Sequence, residues 1–166
     1  MIFADLNVEN ALGAILAHSQ KVGKHTFRKG RTLSAADIND LNNSGIETVT
    51  AIQLEKDDLH ENDAAERLAR AIAGKNVTPS STATGRCNLV ANANGLVVLN
   101  TDAINTLNLT NEVIAISTVL PFHQARKGDV IATVKIITFG VSRNIIESCE
   151  KIILAEGPPV SLSPFT

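Results

Sequence analysis

The chain has 166 residues, with 15 Lys plus Arg against 17 Asp plus Glu, so its formal net charge is −2. Apolar residues make up 44% and charged residues 19%, with five Phe and neither Tyr nor Trp. The apolar share excludes a disordered chain, and the length suits one domain, or two small ones, with a real core. Near-neutral charge argues against broad nucleic-acid binding, which rests on a strong basic field, and five Phe leave little for bases to stack on.

No window approaches the roughly 18 unbroken apolar residues of a membrane span. The first residues carry no basic region followed by an apolar stretch, so no signal peptide is read. Cys87 and Cys149 lie far apart and form no metal spacing. Buried free thiols in a reducing cytoplasm are therefore expected.

Along the chain, residues 11–18 are a short apolar run whose periodicity does not separate strand from helix. The basic stretch 21–31, broken by Gly23 and Gly30, predicts a solvated turn or hairpin. Residues 34–44 predict a helix: Ser34 caps it, Asp37 completes a near capping box, Ile38 and Leu41 share a face, and Gly45 suits the left-handed end. Residues 46–54 are rich in β-branched residues and predict a strand. A second helix is expected over 63–73, capped by Asn62, with Ala65, Leu68, Ala69 and Ile72 on one face. Its alanines make it slim.

Residues 75–84 read as a loop or linker. Strands are expected over 85–91 and 96–100, joined as a hairpin at Asn94-Gly95. A short helix to Leu107, capped by Thr101 or Asp102, a strand over 112–120 and a long strand over 130–141 follow. Ser142 caps a final helix that buries Ile145, Ile146, Cys149, Ile152 and Ile153, and Gly157 with the two prolines after it ends that helix. Strands and helices without βαβ alternation predict an α+β fold with mixed or antiparallel sheets and three to four helices. Two subdomains are expected: a helix-rich one over 1–78 and a β-rich one with the C-terminal helix over 85–157, with 158–166 as an extended tail.

Few motifs carry chemistry, since no P-loop, GxGxxG or HExxH occurs. Asp57, Asp58 and Glu61 have the oxygen ligands that suit Mg²⁺, and they equally suit a helix N-terminus, where acids complement the dipole. His18 and Ser19 are adjacent but lack a nucleophile elbow and a third partner, which points away from catalysis. Arg86 and Asn88 place a guanidinium and an amide at a strand start, where the Arg fork suits phosphate or carboxylate. Lys135 lies within an apolar strand on the face of Thr133 and Ile137, pointing either to solvent or into a cleft.

Several stretches together resemble a known family. Residues 13–19 (GAILAHS), 27–33 (FRKGRTL), 34–41 (SAADINDL) and 45–46 (GI) are similar to molybdopterin-binding proteins, relatives of the molybdopterin molybdenumtransferases. Residues 54–58 (LEKDD), 61–65 (ENDAA), 85–89 (GRCNL) and 133–139 (TVKIITF) extend the likeness over nearly the whole chain. The later stretches resemble the N-terminal module of longer bacterial proteins, in which a molybdopterin-binding domain follows. The sequence ends at Thr166, where such proteins continue.

The resemblance implies a part in molybdenum cofactor biosynthesis but supplies no active-site residues at these positions. Molybdopterin carries a phosphate and a polar fused ring, and in a near-neutral chain any anion site must be local. Arg86, Asn88 and Lys135 are the candidates to hold it, with Phe122 or Phe139 for ring stacking. The expected role is a module that binds or positions molybdopterin, or a related pterin, without complete catalytic machinery. Its expected partner is a downstream molybdopterin-binding domain or another cofactor-biosynthesis protein. The alternatives are a metal-dependent molybdopterin transferase using the 57–63 acids with Mg²⁺, and a structural module that forms a homodimer through its Ala-rich and Ile-rich helix faces.

Overall fold

A computed structural model describes residues 1–166. The fold is α+β, built from four α-helices and mostly short antiparallel strands. Two compact units divide it, Met1–Asp58 and Leu59–Thr166.

In the first unit, strand β1 (Ile2–Asn7) is followed by β2 (Ile15–Leu16) and the hairpin β3 (Gln20–Val22) and β4 (His25–Phe27). Helix α1 (Ala35–Asn43) and strand β5 (Thr48–Gln53) come next, and β5 pairs antiparallel with both β1 and β2. The apolar run at 11–18 thus becomes a buried two-residue strand and its flanks, and the basic stretch supplies the hairpin. The capping box at Ser34 is complete: the Asp37 N–H donates to Ser34 Oγ, and Asp37 Oδ2 accepts from the Ser34 N–H at 3.0 Å. Gly45 takes φ +74°, where a residue with a Cβ would be strained. Val8, Leu16, Val22, Phe27, Leu33, Leu41 and Val49 form the core of this unit.

Asp37 is the only buried charged side chain of the first unit, and it is fully engaged. Arg31 reaches it by two bonds, Nε to Oδ2 at 3.0 Å and Nη2 to Oδ1 at 2.8 Å, while the guanidinium lies 4.5 Å from the centre of the Phe27 ring. The Arg31 guanidinium, helped by Ser34, holds the Asp37 carboxyl down at about 2.

In the second unit, strand β6 (Asp58–His60), which begins one residue before the boundary, leads into helix α2 (Glu61–Ile72). Then follow β7 (Val77–Pro79), β8 (Arg86–Ala91), β9 (Gly95–Leu99), helix α3 (Thr101–Thr110), β10 (Ile114–Thr118), β11 (Gln124–Ala125), β12 (Val130–Ile136), β13 (Gly140–Ser142), helix α4 (Arg143–Glu156) and β14 (Val160–Pro164). The main sheet has the order β10-β12-β8-β7, all antiparallel, with a bulge near Ile131. A smaller sheet has the order β11-β9-β14. Helix α2 packs on β8, β12 and α4, and α3 packs on β10 and α4. Arg67 on α2 forks onto Glu150 on α4 at 2.5 and 2.7 Å.

Four expectations change. The boundary falls at 58/59 rather than near 78–85, because α2 buries Ala64, Ala65, Leu68, Ala69 and Ile72 against the β-rich unit. Its alanines allow the close approach to the sheet. Helix α2 begins at Glu61, and its cap is His60, whose Nδ1 accepts from the Asn62 N–H at 3.1 Å. Asn62 is not the cap; its side-chain oxygen instead accepts from the Gly85 N–H at 2.8 Å.

Strands β8 and β9 do not form a hairpin at Asn94-Gly95, for they belong to different sheets. Gly95 serves close packing: a Cβ there would lie 2.2 Å from the Ser163 carbonyl oxygen. Residues 158–166 are no loose tail either. Strand β14 pairs with β9 from Val160–Leu99 to Pro164–Gly95, and its alternation buries Val160 and Leu162. Smaller differences are that β7 forms within the expected loop, the long strand splits into β12 and β13, and Ser142 precedes α4 without a side-chain cap.

Candidate functional site

The candidate site lies on the two central strands of the main sheet. Cys87, Leu89, Val134 and Ile136 point into the core beneath α2, α3 and α4. Alternation therefore sets Arg86, Asn88, Thr133 and Lys135 on the opposite face. Arg86 and Lys135 are exposed there, and Asn88 and Thr133 are half-buried.

The register brings the three sequence candidates together. Lys135 is the cross-strand partner of Arg86, and Thr133 that of Asn88. The Arg86 N–H donates to the Ala83 carbonyl and the Ile136 N–H to the Gly85 carbonyl, at 3.0 and 2.8 Å. Arg86 and Lys135 are thus a non-hydrogen-bonded pair, the arrangement that brings side chains closest. Neither takes part in any ion pair. Asn88 Oδ1 accepts from Thr133 Oγ1 at 2.8 Å, which fixes its amide.

Along β10 and β12, a shallow cleft of about 190 Å³ is lined by Ser117, Val119, Val130 and Thr133, among others. That is small beside the few hundred Å³ of a typical ligand pocket. The site is accordingly a cationic sheet face with a shallow neighbour, suited to an anionic group that remains partly solvated.

The expected metal ligands are not gathered. Asp57 is exposed. Asp58 accepts from the Glu55 N–H at 2.9 Å and pairs with the Met1 ammonium, which holds its carboxyl below the usual range. Glu61 is buried and lies against Gly85. No group of three His, Cys, Asp or Glu side chains is arranged to hold a metal ion. His18 is exposed, and Ser19 Oγ accepts from the Lys29 N–H at 3.2 Å.

Comparison with known proteins adds one likeness. A family model described as a domain of unknown function (DUF8806) matches residues 5–53, all within the first unit. No curated protein and no solved structure matches the chain. The cationic face lies in the second unit, outside the matched residues.

Two features of the site escape sequence reasoning. Thr133 orients Asn88, a role that requires the β8–β12 register. Gly85 takes φ +68°, and a Cβ there would lie 2.7 Å from Glu61 Oε2 and 2.8 Å from the Ile136 carbonyl oxygen. Only a glycine lets the Glu61 carboxyl occupy that space. Phe139 is half-buried four residues after Lys135, and its carbonyl accepts from the Glu61 N–H at 3.0 Å. Phe122 is 70% exposed, with φ +62°. Both cysteines are free and buried, and burial pushes the Cys149 thiol up to about 11. No helix is long and apolar enough to cross a membrane.

Proposed function

We propose that this chain is a module of molybdenum cofactor biosynthesis that binds or positions molybdopterin, with Arg86 and Lys135 taking its phosphate. The observation that carries the reading is the direct cross-strand pairing of these two cations, neither of which forms an ion pair. Two like charges set opposite each other are unfavourable by themselves and become favourable when an anion bridges them. The guanidinium offers a planar fork, the ammonium a mobile point charge and Asn88 an oriented amide, a donor set that fits a phosphate. Phe122 or Phe139 would be the aromatic for the fused ring.

The pterin itself enters through the resemblance of 85–89 (GRCNL) and 133–139 (TVKIITF), the two stretches that the register brings side by side. A cytoplasmic setting accords with two free, buried cysteines. The module holds its ligand for a following molybdopterin-binding domain or another cofactor-biosynthesis protein. Titration of the chain with a molybdopterin species tests the proposal. Binding should weaken in Arg86→Ala and in Lys135→Ala, and it should weaken with added salt. Unchanged affinity in both variants would remove the site.

A further inference from the structure

A strand at the end of a sheet leaves one row of main-chain N–H and C=O groups without a partner, and folds commonly close such rows. Three edges here are closed. On β10, the Asn108 side chain donates to the Ile116 carbonyl at 2.9 Å and accepts from the Ile116 N–H at 2.7 Å. On β14, the Leu162 N–H donates to the Lys75 carbonyl, and the Leu162 carbonyl accepts from Asn76 Nδ2. On β2, the Leu16 N–H donates to the Arg31 carbonyl, and the Leu16 carbonyl accepts from the Gly30 N–H.

Strand β1 differs. It ends the order β1-β5-β2, and the main chain of Ile2–Asn7 bonds to β5 alone. The Val8 N–H donates to the Glu47 carbonyl, in register with that ladder. This bond fixes the phase. Ile2, Ala4 and Leu6 turn their main-chain groups to β5, so Phe3, Asp5 and Asn7 turn theirs outward. The edge carries no Pro, Lys or bulge to guard it, and its one charge, Asp5, accepts from Thr50 Oγ1 at 2.6 Å. Met1, Ile2 and Phe3 are 43%, 50% and 63% exposed, the one run of consecutive exposed large apolar side chains in the chain. Such a run on an open edge calls for a cover.

The strand is its own complement. When two copies run antiparallel about a two-fold axis at Ala4, Phe3 of each faces Asp5 of the other, and each pair exchanges both of its outward main-chain bonds. Ile2 then meets Leu6 and covers part of the apolar run. An axis at Asp5 would instead set two carboxylates opposite each other, which is unfavourable. An axis at Phe3 would leave Leu6 and Asn7 outside the ladder. We propose that β1 pairs with β1 of a second copy in the Ala4-centred register, joining the two β1-β5-β2 sheets into one. The Ala-rich face of α2 is packed into the core of the second unit and takes no part. The ladder is short, so the association is weak and reversible.

Sedimentation equilibrium of the full chain from about 1 to 500 μM tests the proposal. The unmodified chain should shift from monomer to dimer across that range. Phe3→Asp and Phe3→Lys remove the same apolar side chain but differ in charge opposite Asp5 of the partner copy. Phe3→Asp should weaken the dimer about tenfold more than Phe3→Lys does, with circular dichroism spectra like that of the unmodified chain. A monomer at every concentration overturns the inference. Equal dimer affinity in the two variants overturns it as well, because a contact made elsewhere would not distinguish them.

Discussion

Arg86 and Lys135 stand directly opposite each other on the uncovered face of an antiparallel pair, and neither forms an ion pair. Cross-strand like charges cost about 0.2–1 kcal/mol. Lys135→Gln should therefore fold at least as stably as the unmodified chain, with a denaturant midpoint that is equal or slightly higher. At the same time it should lose affinity for phosphate-bearing ligands. A drop in stability would mean that the ammonium has a structural role instead.

Glu61 predicts a pH-dependent stability of definite sign. Its carboxyl is raised above the ordinary 4.5 by burial. The folded state then holds its proton more tightly than the unfolded state, so stability falls as pH rises through the raised value. Glu61→Gln should be more stable than the unmodified chain at pH 7 to 8 and should lose that advantage below the ordinary carboxyl range. Chemical denaturation at several pH values checks this.

Asp37 has the opposite sign. Its carboxyl is lowered from 3.8 to about 2 by Arg31 and Ser34, so its contribution is present above pH 3.8 and fades as pH falls toward 2. That contribution is roughly 1–2 kcal/mol once the half-exposure of Arg31 is allowed for. Asp37→Asn should destabilise the first unit by about that much at neutral pH, with the difference vanishing in acid. Thermal melts at pH 7 and pH 2.5 give the comparison.

Gly95 tests the close packing of the smaller sheet. A methyl there meets the Ser163 carbonyl oxygen at 2.2 Å. Gly95→Ala should cost about 1–3 kcal/mol and raise amide exchange along Val160–Pro164 first. Exchange confined to other strands would contradict the pairing of β14 with β9.

Much of the fold is legible in the sequence where a local signal decides the outcome. Ser34, Asp37 and Gly45 state both ends of α1, and the period of Ala65, Leu68, Ala69 and Ile72 states the buried face of α2. The errors arise where long-range packing wins. Asn94-Gly95 carries a strong turn signal, yet the glycine is needed to admit the chain at Ser163. The alternation at 160–164 is a strand signal that its position after two prolines obscures. Alternation places Lys135 on the face of Thr133, but only the register pairs it with Arg86 across 49 residues. The acids at 57–63 look alike in sequence and fare differently: Asp57 is exposed, Asp58 is hydrogen-bonded, and Glu61 is buried and unpartnered.

The most direct measurement is the affinity of a molybdopterin species for the unmodified chain and for the Arg86→Ala/Lys135→Ala double variant, at low and at moderate salt. Removing two charge-assisted contacts of about 1.5–3 kcal/mol each should weaken binding by a hundredfold or more and flatten the salt dependence. Equal affinity and an equal salt slope in a folded double variant would contradict the assignment of the phosphate to this sheet face.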